Sequence, residues 1–158
     1  MARTGESGGF ESVCFMSRTV RAWGDLRPPI RQRGARMIRT RIDAEQTAPV
    51  EMDGVKNVSM RVLLGAEHGM PHFSMRHFVV EPGGHTPRHR HDYEHEVVVL
   101  SGHGEAEHAG ETAPIGKGDV MYVAADAMHQ FRNLGDEPLE FLCLVPRERD
   151  GGGEVPGS

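Results

Sequence analysis

The chain has 158 residues, which suits one domain of ordinary size, and carries 18 Lys and Arg against 23 Asp and Glu. A net charge of −5 does not favour nucleic acid as a partner, and no apolar run approaches the roughly 18 residues that a transmembrane helix needs. Two cysteines, Cys14 and Cys143, are too few for a disulfide framework, so we expect a reducing compartment and a cytoplasmic location.

Residues 1–36 differ in composition from the rest of the chain. They hold seven Arg, no Lys and three acidic residues, with scattered Gly, Pro and Ser and no sustained hydrophobic period. This composition predicts a disordered or weakly ordered arm. We favour an upstream extension, absent if translation starts at Met37. A transit peptide and a nucleic-acid-binding arm are the alternatives, and charge alone supports the latter only weakly.

From about residue 55 the sequence consists of short apolar runs separated by turn residues. The runs predict strands at 59–64, 73–80, 96–100, 105–108, 111–115, 119–124, 129–133 and 139–145, with no helical stretch between them. Glu81-Pro82-Gly83-Gly84 predicts a turn, and Ala109-Gly110 predicts a hairpin. We therefore expect an all-β, antiparallel barrel or sandwich over residues 37–149, followed by a disordered tail at 150–158.

Nine of the ten histidines lie between His68 and His108, which points to a metal or to proton chemistry. His89, His91 and His95 are separated by even offsets, so in an extended chain their side chains project towards one face. His129, on a later predicted strand, is a fourth candidate ligand. The other histidines are expected to be solvated, and His77 is predicted to lie on the exterior because its parity is opposite to that of Arg76.

Two motifs resemble those of the cupin superfamily. The first reads Gly, five residues, His-x-His, three or four residues, Glu, six residues, Gly, and it is matched by Gly83, His89, His91 and Gly102. The second reads Gly, five residues, Pro-x-Gly, two residues, His, three residues, Asn, and it is matched by Gly118, His129 and Asn133, with Ala124 and Asp126 replacing Pro and Gly. The motifs span residues 83–133. The resemblance implies a single-domain cupin barrel, the double-stranded β-helix or jelly roll.

Position 95 departs from the first motif, which has Glu there. His95 satisfies both family spacings, whereas Glu94 and Glu96 have the wrong parity. A glutamate ligand in place of His95 and a metal-free cupin are the alternatives. The surrounding sequence resembles the small single-domain cupins that hold manganese with four histidines. The resemblance therefore implies a divalent metal at His89, His91, His95 and His129. Manganese comes first and iron next, and imidazole ligands also suit zinc, nickel and copper.

Strand parity also outlines a pocket. Phe131 shares a face with His129, Phe141 and Cys143 share a face of the last strand, and Arg76 points inward from an earlier one. An inward Arg needs a partner, either a substrate carboxylate or phenolate, or a structural acid. For Phe131, Phe141 and Cys143, plain filling of the barrel is the other interpretation.

The open coordination positions of such a metal and the aromatic pocket favour an enzyme. We expect a metal-dependent oxidoreductase of dioxygenase type that acts on a small aromatic or unsaturated substrate. A non-catalytic metal- or small-molecule-binding module, and a Lewis-acid isomerase or lyase, are the alternatives. The resemblance further implies a homodimer.

Overall fold

The computed structural model describes residues 31–32, 35–44 and 47–149, and the chain divides into two units between Arg39 and Thr40. In the first unit, strands β1 (Arg31–Gln32) and β2 (Ala35–Arg36) form an antiparallel pair. Most of the predicted arm at 1–36 and the whole predicted tail at 150–158 lie outside the described residues. The assignment of these two segments as disordered therefore stays a prediction.

The second unit consists almost entirely of antiparallel strands. They are β3 (Ala48–Pro49), β4 (Lys56–Leu64), β5 (Phe73–His85), β6 (His95–Ser101), β7 (His103–His108), β8 (Glu111–Gly116), β9 (Val120–Val123), β10 (His129–Asn133) and β11 (Leu139–Pro146). Their order in the sheet is β8-β7-β10-β5-β11-β6-β9, and β4 pairs with both β3 and β5. Single turns of 3-10 helix lie at Ala66–His68 and Arg147–Arg149. The all-β antiparallel architecture predicted from the sequence is confirmed.

None of the helices in the described part of the chain is long and apolar enough to cross a lipid bilayer.

The hairpin predicted at Ala109-Gly110 joins β7 to β8. His108 pairs with Glu111 across it, and Ala109 and Gly110 have φ angles of 52° and 89°. Two consecutive positive φ angles are the signature of the tight turn that matches the right-handed twist of the paired strands. This local prediction from two residues is therefore confirmed.

The turn predicted at Glu81–Gly84 is wrong, because β5 continues through these residues to His85. Val58 of β4 pairs with Val80, whereas Lys56 pairs with His85, so β5 carries extra residues and bends instead of reversing. Gly83 adopts a φ of 69° at the bend. A Cβ at Gly84 would lie 2.7 Å from the carbonyl oxygen of Lys56, so this close backbone approach requires glycine.

Strand β11 illustrates why the predicted inner face is correct. Its residues alternate between buried and half-buried along the whole strand, as expected when one face of a strand lines a core. Leu139, Phe141, Cys143 and Val145 form the buried set, none more than 2% exposed. The inner face of β11 thereby brings an aromatic ring and a thiol into the interior of the barrel.

His77 corrects the prediction of an exterior histidine, since its side chain is fully buried. Its Nδ1 lies 3.2 Å from Nε of Arg61 on β4, and its Nε2 lies 2.9 Å from a carboxylate oxygen of Glu140 on β11. Because a guanidinium can only donate, Nδ1 accepts from Arg61 and the Nε2–H donates to Glu140. Parity assigns a residue to a face of the sheet, but here long side chains from both neighbouring strands cover that face.

We expect replacement of His77 by glutamine to flatten the acid limb of the stability profile. Burial lowers the pKa of His77 from its usual 6.5, an effect that the Glu140 carboxylate only partly opposes. As pH falls from 6.5 through the folded-state pKa, the unfolded chain binds a proton that the folded one does not, so stability is lost. The variant should lose about 1–3 kcal/mol at neutral pH through its broken contacts. Urea denaturation across this pH range measures both effects. If the unfolding free energy of the variant falls with decreasing pH as steeply as that of the wild type, the lowered pKa of His77 is contradicted.

Candidate metal centre

Three imidazoles meet inside the barrel, those of His89, His91 and His129. One ring nitrogen of each lies within 4.8 Å of those of the other two. The backbone holds two of the three together, because the amides of His89 and His129 each donate to the other's carbonyl, at 3.2 and 2.9 Å. The first motif and the start of β10 are therefore joined directly at the cluster.

Each of these three imidazoles is oriented by a backbone carbonyl two residues away. The Nδ1 atoms of His89, His91 and His129 lie 2.9, 2.7 and 2.9 Å from the carbonyl oxygens of Pro87, Tyr93 and Ala127. Because a carbonyl only accepts, each Nδ1 carries the proton and each Nε2 keeps its lone pair. This is the tautomer and the support that metal-binding histidines use.

His95, the first residue of β6, adjoins the cluster. Its side chain is buried and its Nε2 contacts Nε2 of His91. Its Nδ1 lies 2.8 Å from Sγ of Cys143 and 3.5 Å from a guanidinium nitrogen of Arg76. The tautomer that carries its proton on Nδ1, with a hydrogen bond to Sγ of Cys143, is the one that leaves the Nε2 lone pair free for a metal ion.

The two glutamates beside His95 have different environments. Glu96 is exposed and Glu94 is half-buried, whereas His95 shares the buried side of β6 with Val97 and Val99. The inner face of β6 therefore carries an imidazole at this position.

The four imidazoles are neutral at physiological pH. Burial lowers the pKa of His91 and of His129 to about 4, and it lowers the pKa of His89 as well. Burial, followed by the positive charge of Arg76, lowers the pKa of His95 to about 2. Neutral imidazole is the form that binds metal, so no proton would have to leave these rings first.

The histidines line a cavity that opens to solvent. Phe78 stacks on Phe141 with ring centroids 5.1 Å apart, and Phe131 lies against the same ring at 5.1 Å. Arg76 and Cys143 also line the cavity. Phe131, Phe141 and Cys143 are at once buried core residues and cavity wall, so the two interpretations of these residues are compatible.

Tyr93 is a cavity residue that the sequence analysis missed. Its ring stacks on the imidazole of His91, with centroids 3.6 Å apart and planes within 7°, and the guanidinium of Arg149 lies 5.3 Å from its centre. Tyr93 lies in the irregular segment before β6, where strand parity does not apply. The feature of the sequence that could have identified Tyr93 as a cavity residue is its position between two candidate ligands, His91 and His95.

Comparison with known proteins identifies the family. Residues 76–145 match the model of the cupin domain. Over 76 residues, 48% of the chain, the sequence is 40% identical to a 1-methylthio-D-xylulose 5-phosphate methylsulfurylase of Rhodospirillum rubrum, of which it spans only 49%. The structure resembles the polyketide cyclase RemF of Streptomyces resistomycificus with a TM-score of 0.67 and 28% identity, covering 77% of this chain and 82% of that one.

A cupin 2 domain-containing protein of Halorhodospira halophila is 34% identical, with a TM-score of 0.55, over 68% of this chain and 74% of that one. The chain belongs to the cupin superfamily. The matched segment contains every candidate site residue discussed above, from Arg76 to Cys143.

Proposed function

We propose that this protein is a metal-dependent cupin enzyme, an oxidoreductase of dioxygenase type that acts on a small aromatic or unsaturated substrate. One observation carries the proposal: three imidazoles, each oriented by a backbone carbonyl, bring their ligand nitrogens within 4.8 Å of one another in the wall of a largely apolar cavity. Such a cavity binds a small organic molecule beside the nitrogens that would hold the metal.

The donor set fits a first-row divalent ion. His89, His91 and His129 would hold it, with His95 as the fourth ligand, and their neutral rings need not be deprotonated. A bound ion would supply open coordination positions for dioxygen or a chelating substrate and would polarise a substrate oxygen. We propose manganese as the native metal; iron, zinc, nickel and copper also accept imidazole ligands.

The side chains around the histidines would bind and orient the substrate. The rings of Phe78, Phe131 and Phe141 offer faces and edges against which a planar substrate can pack. Burial raises the pKa of Tyr93, so its hydroxyl stays protonated and can donate to a substrate oxygen. The apolar wall would also exclude water from the reacting atoms.

A Lewis-acid lyase or isomerase is the second candidate, and the relatives favour it. One structural relative is named a polyketide cyclase and one curated relative a methylsulfurylase, and neither name denotes an oxygenase. The same histidines and the same cavity would serve that chemistry without consuming oxygen. A non-catalytic binding module would use the cavity alone.

An oxygen electrode, with substrate loss followed by chromatography, separates these candidates. The full-length protein loaded with manganese or iron is tested against a panel of phenols and enols. We expect oxygen uptake matched to substrate loss, and both should disappear in His91→Ala. Substrate loss without oxygen uptake would replace the dioxygenase with Lewis-acid chemistry, and tight binding without turnover would replace it with a binding module.

The proposed homodimer and cytoplasmic location stay predictions from the sequence. Sedimentation at micromolar concentration should give a mass of two chains, and a mass of one chain would count against the dimer.

A further inference from the structure

The guanidinium of Arg76 is a buried charge whose binding capacity is largely unused. The residue is 4% exposed, and its Nε has no hydrogen-bond partner. Among residues 31–32, 35–44 and 47–149, no carboxylate forms an ion pair with it. A structural acid, one of the two partners expected from the sequence, is therefore not found in the described part of the chain. Buried charges are normally paired, so the missing partner has to come from elsewhere.

The neighbours of the guanidinium do not supply a negative charge. One terminal nitrogen lies 3.3 Å from Sγ of Cys143 and 3.5 Å from Nδ1 of His95, and the guanidinium carbon lies 5.2 Å from the ring centre of Phe78. These neighbours are a thiol, an imidazole and an aromatic ring, and none of them is a carboxylate. Arg76 is also the one cavity-lining side chain with a permanent charge among the described residues.

We propose that Arg76 is the anion-binding residue of this cavity and that its ligand is a small organic carboxylate with an apolar or aromatic body. Two carboxylate oxygens match the planar fork of a guanidinium, and the unpartnered Nε is one arm of that fork. The apolar body would pack against Phe78 and Phe141. A single cation in an apolar wall suits a carboxylate better than a phosphate, which usually engages several donors.

The position of Arg76 relates this anion to the proposed chemistry. Its guanidinium contacts His95, which in turn contacts His91, so the bound carboxylate would place its adjoining carbon atoms beside the histidine cluster. This inference deepens the proposed function, on which it rests for the reaction, by naming the class of substrate. Arg76 itself acts by binding and needs no metal to do so.

Calorimetry with benzoate and its neutral counterpart benzamide tests the proposal. The full-length protein is titrated as purified and again after metal removal. In both forms we expect benzoate to bind at least tenfold more tightly than benzamide. Arg76→Met should abolish that preference: the affinity for benzoate should fall at least tenfold, while the affinity for benzamide should stay within twofold of the wild-type value. Arg41→Met, which removes an exposed charge, is the matched control and should keep the preference.

Melting temperature supplies a second readout. Arg76→Met removes an unpaired buried charge, so without ligand it should melt no lower than the wild type, and benzoate should stabilise only the wild type. The inference would be overturned if the wild type bound benzoate and benzamide equally, or if Arg76→Met kept the wild-type affinity for benzoate. If Arg76→Met does not fold, Arg76→Gln replaces it, and unchanged benzoate binding in that variant would also overturn the inference. A protein that shows the Arg76-dependent preference but takes up no metal would refute the proposed metal centre alone.

Discussion

Replacing His91 with alanine should weaken metal binding by about a hundredfold or more. His91 is buried, and its ring is oriented by the carbonyl of Tyr93. A ring nitrogen of His91 lies near those of His89 and His129, and its Nε2 also contacts His95. Loss even of outer-shell support for a ligand costs 10–100-fold in metal affinity, so loss of a ligand should cost at least the upper end of that range. Competition against a chromophoric chelator measures the effect. His72→Ala, at an exposed position, is the control and should bind as the wild type does.

A second set of variants tests the fourth ligand. His95→Ala should weaken metal binding measurably, and His95→Glu should restore retention because a carboxylate there recreates the glutamate of the first cupin motif. Glu96→Gln should have little effect, since Glu96 lies on the exposed side of β6. If Glu96→Gln loses the metal and His95→Ala keeps it, the assignment of His95 is wrong.

Truncating Phe141 to alanine should destabilise the fold by about 3–5 kcal/mol, a large part of the 5–15 kcal/mol of a typical domain. Phe141 is 2% exposed and contacts the rings of both Phe78 and Phe131, so its removal leaves a void that the barrel cannot readily close. Its position beside the cavity should place the loss at the lower end of the range. Denaturant unfolding with the metal removed gives the value.

The matched control is Phe73→Ala, because Phe73 is 59% exposed and should change stability by no more than about 0.5 kcal/mol. If Phe141→Ala lost as little stability as Phe73→Ala, Phe141 would not contribute to the core.

Strand periodicity and motif spacing identified most of what faces the interior. His95, Phe141 and Cys143 lie on the inner side because alternation along a strand is a local property, and the sequence contains all of it. The approach fails where geometry depends on distant parts of the chain. The residues Pro82-Gly83-Gly84 are compatible with a reversal or with a bend, and the pairing of His85 with both Lys56 and Arg132 selects the bend.

Contacts made by the backbone or across strands could not be found in the same way. The burial of His77 results from side chains on β4 and β11, residues distant in sequence. The carbonyls that orient the cluster belong to Pro87, Tyr93 and Ala127, and any residue type could supply a carbonyl. The missing partner of Arg76 could be recognised only once its surroundings were known.

The central claim is that the histidine cluster holds one divalent metal ion. Elemental analysis of the wild-type protein, purified without a polyhistidine tag and beside His91→Ala, tests it most directly. We predict about one divalent ion per chain in the wild type, with manganese or iron predominant, and less than a tenth of that in a folded His91→Ala. A folded wild-type protein that contains no metal and takes up neither added manganese nor added iron would contradict the account.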